Sequence, residues 1–207
     1  MTKTITRLFD DHADATAAVT QLEAAGFAHD DISVLANNVD GRHGDNAHDG
    51  VNDHGDVTRG VSTGAALGGA GGLLAGLGLL AIPGLGPIVA AGWLAATAAG
   101  AGIGAIGGAA TGGIVGALKN AGHSDEEANV YSEGVRRGGT LVSVRVPAEE
   151  EARAQSILDG HRSVDAATRG AAYRQNGWTG FDAEAADYGV ADVERERGLY
   201  ARDTTRI

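Results

Sequence analysis

The sequence predicts an α+β protein, a ferredoxin-like domain of two β-α-β halves into which a Gly/Ala-rich helical hairpin is inserted. Residues 1–37 have the pattern strand, helix, strand, and residues 123–170 have the pattern helix, strand, helix, strand. Between the two halves, residues 60–118 contain no charged residue, and Arg59 and Lys119 bound this uncharged block. Two β-α-β halves are typical of two helices packed on an antiparallel sheet.

The first half has a start and a stop signal for each of its elements. Residues 4–9 carry the β-branched and apolar residues of a strand. Asp11 or Asp14 is available to cap the following helix, and Gly26 is placed to end it. Residues 31–36 then alternate between apolar and other side chains, which predicts the second strand.

A polar segment separates this half from the uncharged block. Residues 38–59 are rich in Asn, Asp, Gly and His and show no helical or strand period, so we expect a loop. Its histidines, His43, His48 and His54, lie among aspartates, and such side chains can bind zinc or nickel. Spacings of five and six residues in a segment without secondary structure do not preorganise a metal site, so none is predicted.

The uncharged block is predicted to fold back on itself. Its middle is marked by Pro83, Gly84, Gly86 and Pro87, and proline cannot continue a helix interior. We therefore expect a turn there between two helices, at about residues 61–82 and 88–118, within a hairpin domain at residues 60–122. The first helix has about the 20 residues that a bilayer-spanning helix needs.

Glycines recur every four residues along both predicted helices. Residues four apart share one helix face, so each helix would present a long groove without side chains, suited to close backbone packing. Glycine costs a helix about 0.5–1 kcal/mol relative to alanine, so packing has to offset several kcal/mol. The two glycine ladders are Gly64, Gly68, Gly72 and Gly76 in the first helix, and Gly92, Gly100, Gly104, Gly108, Gly112 and Gly116 in the second, where Ala96 fills the remaining position.

The second half, residues 123–170, has the mixed polar and apolar composition of a soluble domain. Ser124 and Glu127 form a predicted capping box that opens a helix. Residues 140–146 alternate with valine at every second position and predict the clearest strand. Pro147 starts another helix, whose first turn is acidic, and residues 164–168 are predicted as a last short strand.

The remaining segment, residues 171–207, is predicted to be a polar tail. It contains Trp178 and Phe181 within an otherwise polar stretch. Large apolar side chains in such a tail are expected to dock, so both are predicted to bind the folded domain or a neighbouring subunit.

Composition limits the classes of function. The net charge of −11 over 207 residues excludes the basic footprint that nucleic-acid binding needs. The absence of cysteine excludes disulfides, thiolate zinc sites and thiol nucleophiles.

The glycine pattern at residues 102–107 matches a dinucleotide fingerprint, but a glycine ladder generates that pattern without the strand that the fingerprint requires. We expect no catalytic residue, cofactor or metal. Since residues 1–9 have no apolar signal region, a cytoplasmic location is expected.

Three short segments of the N-terminal half resemble the general stress protein 17M-like domain of bacteria. They are residues 4–9 (Thr-Ile-Thr-Arg-Leu-Phe), 25–27 (Ala-Gly-Phe) and 30–34 (Asp-Asp-Ile-Ser-Val). The rest is similar to bacterial glycine-zipper proteins that share this N-terminal domain. The resemblance implies a role in stress physiology without known enzymatic activity, and it implies no catalytic residues.

Three functions remain open. The first is a non-enzymatic stress-related protein whose hairpin associates with membrane lipid, assembles with copies of itself, or both. The second is a soluble scaffold or shell in which the hairpins form a shared apolar core, and the third is a small-molecule-sensing α+β module. The expected partners are other copies of the chain and membrane lipid, with no nucleic acid. The expected location is the cytoplasmic face of the inner membrane, or the cytoplasm for a soluble assembly.

Overall fold

The computed structural model describes residues 2–41, 78–82, 84–103 and 113–201, and it shows an α+β fold. Within these residues, two short 3₁₀ turns, His29–Asp31 and Ala148–Glu150, accompany the strands and helices. In chain order the elements are β1 (Thr2–Phe9), α1 (His12–Ala24), β2 (Ile32–Asn37), β3 (Gly78–Ile82), β4 (Gly86–Gly92), α2 (Trp93–Ile103), α3 (Gly113–Asn120), α4 (Asp125–Arg136), β5 (Thr140–Pro147), α5 (Glu151–Asp159), α6 (Ala166–Gln175) and α7 (Val190–Ala201).

The strands form one antiparallel sheet in the order β1-β5-β2-β4-β3. The strand β5 lies between β1 and β2, so it joins the N-terminal and C-terminal halves of the chain. One cross-strand row runs through Ile5, Val144 and Ile32. Beyond β2, the strands β4 and β3 extend the sheet with residues from the uncharged block.

One face of the sheet is covered by α1 and α5. The alternate side chains of β1, β5 and β2 that point to this face pack against both helices and exclude water from a first apolar core. The buried residues of this core are Ile5, Phe9, Ala15, Ala18, Val19, Leu22, Ile32, Val34, Ala91, Val142, Val144, Val146, Ala154 and Leu158.

The other face is covered by α2, α3, α4 and α6. The second core on this side includes residues of the uncharged block, such as Ile88, Leu94 and Ile114, together with Leu8 and Leu141 from the central strands. The molecule therefore has three layers, with the sheet between two helical layers. Several residues of the uncharged block, among them Ile88, Leu94 and Ile114, are therefore buried within the same domain as the rest of the sheet.

Several local predictions are confirmed. Asp11 caps α1, since its carboxylate accepts a hydrogen bond from Ala13 N at 2.9 Å. Gly26 follows this helix with a φ of +92°. Ser124 and Glu127 form the predicted capping box of α4. The predicted strand at residues 140–146 is β5.

The helical prediction for the uncharged block is wrong at residues 78–82 and 88–92, which belong to the strands β3 and β4. The predicted turn between them exists, but it joins two strands. Gly84, Gly86 and Gly92 have φ values of +75°, +73° and +88°, and an α-helix contains no such residue. Pairing with β2 satisfies the backbone of β4 and buries Ile88, which a separate hairpin would not do. Pro83 and the glycines at positions 64, 68, 72, 76, 104, 108 and 112 lie outside the described residues.

The predictions for the C-terminal region are also corrected. Only Val164 of residues 164–168 pairs with a strand, in a single antiparallel bridge to Leu8. The side chain of Asp165 accepts a hydrogen bond from Thr168 N at 2.8 Å and so starts α6. The predicted boundary between residues 170 and 171 falls within this helix. Residues 171–201 belong to the folded domain.

Candidate functional site

A cavity in the described part of the chain lies along the outer edge of β1. It has a volume of about 320 Å³. The strand edge lies between the N-terminal end of α4 on one side and α5 on the other. The lining residues are Thr2, Lys3, Thr4, Ile5, Thr6, Arg7, Ala121, Gly122, His123, Glu127, Tyr131, Glu151 and Gln155.

The backbone of β1 points polar groups into this cavity. Leu8 N donates to Val164 O at 3.0 Å, and Val164 N donates to Leu8 O at 2.8 Å. Because backbone groups alternate along a strand, those of Thr2, Thr4 and Thr6 point to the same outer edge as those of Leu8. Among the described residues, no strand pairs with β1 here beyond the single bridge at Val164.

A hydrogen-bonded network of polar side chains backs the edge. His123 Nε2 lies 2.7 Å from Thr6 Oγ1, which lies 2.9 Å from Ser143 Oγ. The Tyr131 hydroxyl donates to Thr6 O at 2.7 Å, and its ring meets the His123 ring edge-on at 5.7 Å. Thr6 and Ser143 are cross-strand neighbours on β1 and β5, so the sheet register brings them together.

The turn between α3 and α4 holds His123 in place. Its backbone N donates to Leu118 O at 3.1 Å, and the capping box of α4 begins at the next residue, Ser124. Burial lowers the pKa of His123, and Glu127 opposes this shift. Burial likewise raises the pKa of Tyr131 to about 12. Both side chains are therefore neutral at neutral pH.

Glu127, His123 and Thr6 lie in sequence along this network and have the residue types of an acid-base-nucleophile triad. Their geometry does not support nucleophilic catalysis. His123 Nδ1 lies 3.9 Å from Glu127 Oε2, beyond hydrogen-bond distance. That oxygen instead accepts hydrogen bonds from Ser124 N and Oγ, both at 2.9 Å. Thr6 is also only 1 % exposed. The network positions the edge of β1 and does not activate a nucleophile.

Sequence reasoning missed this network because its contacts are long-range. His123 and Thr6 meet across 117 positions of sequence. The available signal was the threonine repeat at positions 2, 4 and 6, which predicts one polar side of a strand. Nothing local showed that this strand would lie at the edge of the sheet.

The glycine ladder is described at three of its positions, Gly92, Gly100 and Gly116. Gly100 lies in α2 and Gly116 in α3. Gly92 ends β4, where an added Cβ would overlap the Ile32 carbonyl oxygen and lie 2.8 Å from Ser33 Cα. This close approach is between two strands, where the ladder predicted two helices. No helix in the described ranges combines the length and apolarity needed to cross a bilayer.

The structure places Trp178 and Phe181 against the second core, in a C-terminal strap formed by residues 176–201. The Trp178 ring packs edge-on against Tyr173 at 5.7 Å. Phe181 N donates to Asn129 Oδ1 at 3.2 Å, which attaches the strap to α4. The strap therefore docks on α4 and α6 of its own domain.

Charged groups hold the end of the strap. Glu133 is fully buried and accepts hydrogen bonds from Arg136 Nη2 at 2.8 Å and Arg137 Nε at 2.6 Å. Arg137 Nη1 also donates to Glu196 of α7 at 3.0 Å. The Arg136 guanidinium lies 5.0 Å from the centre of the Tyr188 ring. These contacts link α4 to the strap.

No family model, no curated protein and no solved structure matches the chain. The resemblance of residues 4–34 to the general stress protein 17M-like domain therefore stays a prediction. What the geometry supplies is a strand edge with outward-pointing backbone groups, backed by a neutral network of His123, Thr6 and Ser143.

Proposed function

We propose that the protein is a non-enzymatic, stress-related bacterial protein that assembles with copies of itself through the uncharged block. The observation that carries the proposal is the position of β3, which belongs to this block and forms the last strand of the sheet. An open, hydrophobic edge strand is a template for pairing with another chain. The stress-related part rests on the resemblance of residues 4–34.

The sequence of β3 favours such pairing. It is Gly-Leu-Leu-Ala-Ile, with none of the charged residues or prolines that commonly protect an edge. Among the described residues, no strand pairs with its outer side. In sequence, the uncharged block continues on the N-terminal side of β3 from residue 60 to residue 77.

The hydrogen-bond pattern shows which residues of β3 face outward. Asn38 N donates to Pro87 O at 2.9 Å, so the odd-numbered residues of β4 bond to β2 and the even-numbered ones face β3. Leu80 is opposite Ile88 and bonds inward. The backbone groups of Leu79 and Ala81 consequently point away from the sheet.

A proline at position 79 tests the proposal. Leu79→Pro removes an outward N–H and keeps the bonds between β3 and β4, whereas Leu79→Val keeps the outward N–H as a matched control. Sedimentation velocity over a range of concentrations should show smaller particles for Leu79→Pro and unchanged particles for Leu79→Val. A wild-type chain that stays monomeric, or a folded Leu79→Pro variant that assembles like the wild type, would contradict assembly through β3.

We further propose that β1, β2, β5 and the segment at Val164 form a ferredoxin-like core. Support comes from the strand order, because β5 lies between β1 and β2 and Val164 bridges the outer side of β1. With α1 and α5 on one face, this matches two β-α-β units on an antiparallel sheet. β3 and β4 then extend this core at its far edge, as an insertion between the two halves.

Association with a membrane at the cytoplasmic face is a second proposal. It is supported by the uncharged sequence of residues 60–118. Fractionation of cells that contain the untagged protein, followed by a carbonate wash and detergent extraction, distinguishes membrane association from assembly in the cytoplasm. Protein that stays with the membrane after the wash and leaves it with detergent favours the membrane proposal, and large particles in the soluble fraction favour assembly alone.

A further inference from the structure

We propose that the cavity beside β1 binds a small zwitterion of the amino-acid type, with its ammonium group between His123 Nδ1 and Glu127 and its carboxylate at Lys3. This inference goes beyond assembly through β3 and does not depend on it, since β1 and β3 lie at opposite ends of the sheet. The cavity volume of about 320 Å³ is within the range of small-molecule sites in proteins.

The first support is an unused polar atom on a buried side chain. The His123 side chain is 9 % exposed and lines the cavity. Its Nε2 atom lies 2.7 Å from Thr6 Oγ1, whereas its Nδ1 atom has no hydrogen-bond partner among the described residues. Thr6 Oγ1 can accept the proton of Nε2, because it can donate its own proton to Ser143 Oγ at 2.9 Å. Nδ1 is then an acceptor, which is what an ammonium group requires.

The second support is the negative charge beside this atom. Glu127 Oε2 lies 3.9 Å from His123 Nδ1, so one ammonium nitrogen can contact both acceptors. The hydrogen bond from the Ser124 backbone holds the pKa of Glu127 below its ordinary value, so this carboxylate is ionised at neutral pH. The backbone N–H groups of Ser124 and Glu127 are both used in the capping box and do not offer a site for an anion. This end of the cavity therefore favours a cation.

The third support is an unpaired cation on β1. Lys3 lines the cavity, and its side chain is exposed and forms no ion pair or hydrogen bond within the described ranges. The other cation of the wall, Arg7, is already used, since its Nε donates to Asp159 Oδ1 at 2.7 Å. A ligand with only an ammonium would leave Lys3 unmatched, and a ligand with only a carboxylate would leave Glu127 unmatched. A zwitterion matches both charges.

The rest of the wall suits a polar ligand. At Thr6 the carbonyl already accepts from the Tyr131 hydroxyl, so the ligand lies toward Thr2 and Thr4, whose backbone groups point to the outer edge. The Gln155 side chain faces the cavity from α5 and makes no hydrogen bond to another described residue. These groups can donate to and accept from an amide. We therefore use L-glutamine as the probe.

Titration calorimetry on the full-length protein tests the ligand class with L-glutamine and two related probes. One is 4-aminobutanamide, which lacks the carboxylate, and the other is glutaramate, which lacks the ammonium. L-Glutamine should bind saturably, and each half-probe should bind about tenfold more weakly or worse, as expected for the loss of a hydrogen bond to a charged group. Because binding is counted per chain, the result does not depend on particle size. Half-probes that bind as tightly as L-glutamine, or a failure of L-glutamine and every other standard amino acid to bind saturably, would overturn the proposal.

Variants locate the site. Glu127→Gln removes the charge and keeps the capping box, because glutamine can replace glutamate there. It should weaken the binding of L-glutamine about tenfold, whereas Glu126→Gln, in the same turn but outside the cavity wall, should not. Lys3→Met should weaken binding likewise, and Lys119→Met, whose ammonium is paired with Asp125, is its control. Unchanged affinity in Glu127→Gln and Lys3→Met, or equal losses in the controls, would show that the ligand binds elsewhere.

Discussion

Gly84, in the turn between β3 and β4, lies directly against Ala183 of the C-terminal strap. A Cβ added at Gly84 would lie 2.6 Å from Ala183 Cα and 2.8 Å from Ala183 O. The strap therefore closes over the turn of the uncharged block, and only a glycine leaves room for its backbone. Two segments almost 100 positions apart in sequence depend on one another at this point.

Gly84→Ala should loosen the strap. Gly84 has a φ of +75°, so alanine costs about 1–2 kcal/mol in the backbone, and the clash with Ala183 adds to that cost. Gly26→Ala is the matched control, because Gly26 has a φ of +92° with nothing within 4 Å of the added Cβ. Chemical denaturation should show the larger loss for Gly84→Ala, and limited proteolysis should show faster cleavage within residues 176–201. Equal effects of the two variants would mean that the strap does not press on the turn.

Val144→Asp should unfold both halves of the chain together. Val144 is fully buried and pairs with Ile5 on one side and Ile32 on the other. An unpaired carboxylate there costs several kcal/mol, which is comparable to the stability of a small domain. Proteolysis should then cleave residues 2–37 as readily as β5, whereas Val144→Ala should keep both protected. Persistent protection of residues 2–37 in Val144→Asp would show that the halves fold independently.

Elements with complete local signals could be predicted from the sequence. The capping box of Ser124 and Glu127 needs only neighbouring residues, and the alternation of β5 is visible within eight positions. The strands β3 and β4 lacked such a signal, because alanine and glycine recur at every spacing and suit a helix groove as well as a sheet. What decided between the two was the pairing of β4 with β2, which has no local pattern.

The candidate site was less predictable than the fold. Thr6 and His123 are brought together by the pairing of β1 with β5 and by the placement of α4, so their contact depends on the completed topology. The docking of Trp178 was anticipated from its apolar character alone. The partner surface on Tyr173 was not predicted, because residue 173 falls in the predicted polar tail, whereas it lies in α6.

Glu133→Gln should destabilise the protein more than Glu196→Gln. Glu133 is fully buried, and its carboxylate bonds to both Arg136 and Arg137, so its neutralisation leaves buried guanidinium charge without a partner. Loss of one partner of a buried ion pair costs about 3–5 kcal/mol. The Glu196 side chain is 15 % exposed, and of these two arginines it bonds only to Arg137. Neutralising Glu196 should therefore lower the free energy of unfolding by less. Denaturation of both variants gives the comparison, and a smaller effect at Glu133 would show that the pair is not needed for stability.

The stability of the fold should fall on acidification through His123. Burial lowers the pKa of this side chain below its ordinary value of 6.5, although Glu127 opposes the shift. The unfolded chain therefore binds a proton at a higher pH than the folded chain does, and protonation favours unfolding. This contribution to the free energy of unfolding is fully present above pH 6.5 and is lost as the pH falls from 6.5 through the lowered folded-state pKa. The charged groups around the site are Lys3, Arg7, Glu127 and Glu151.

His123→Asn removes this titration and keeps a polar side chain near Thr6. Urea denaturation at several pH values between 5 and 7.5 should show a smaller pH dependence for His123→Asn than for the wild type. Parallel curves for wild type and His123→Asn would show that His123 does not carry the acid sensitivity, while an opposite slope would mean that its proton stabilises the folded state.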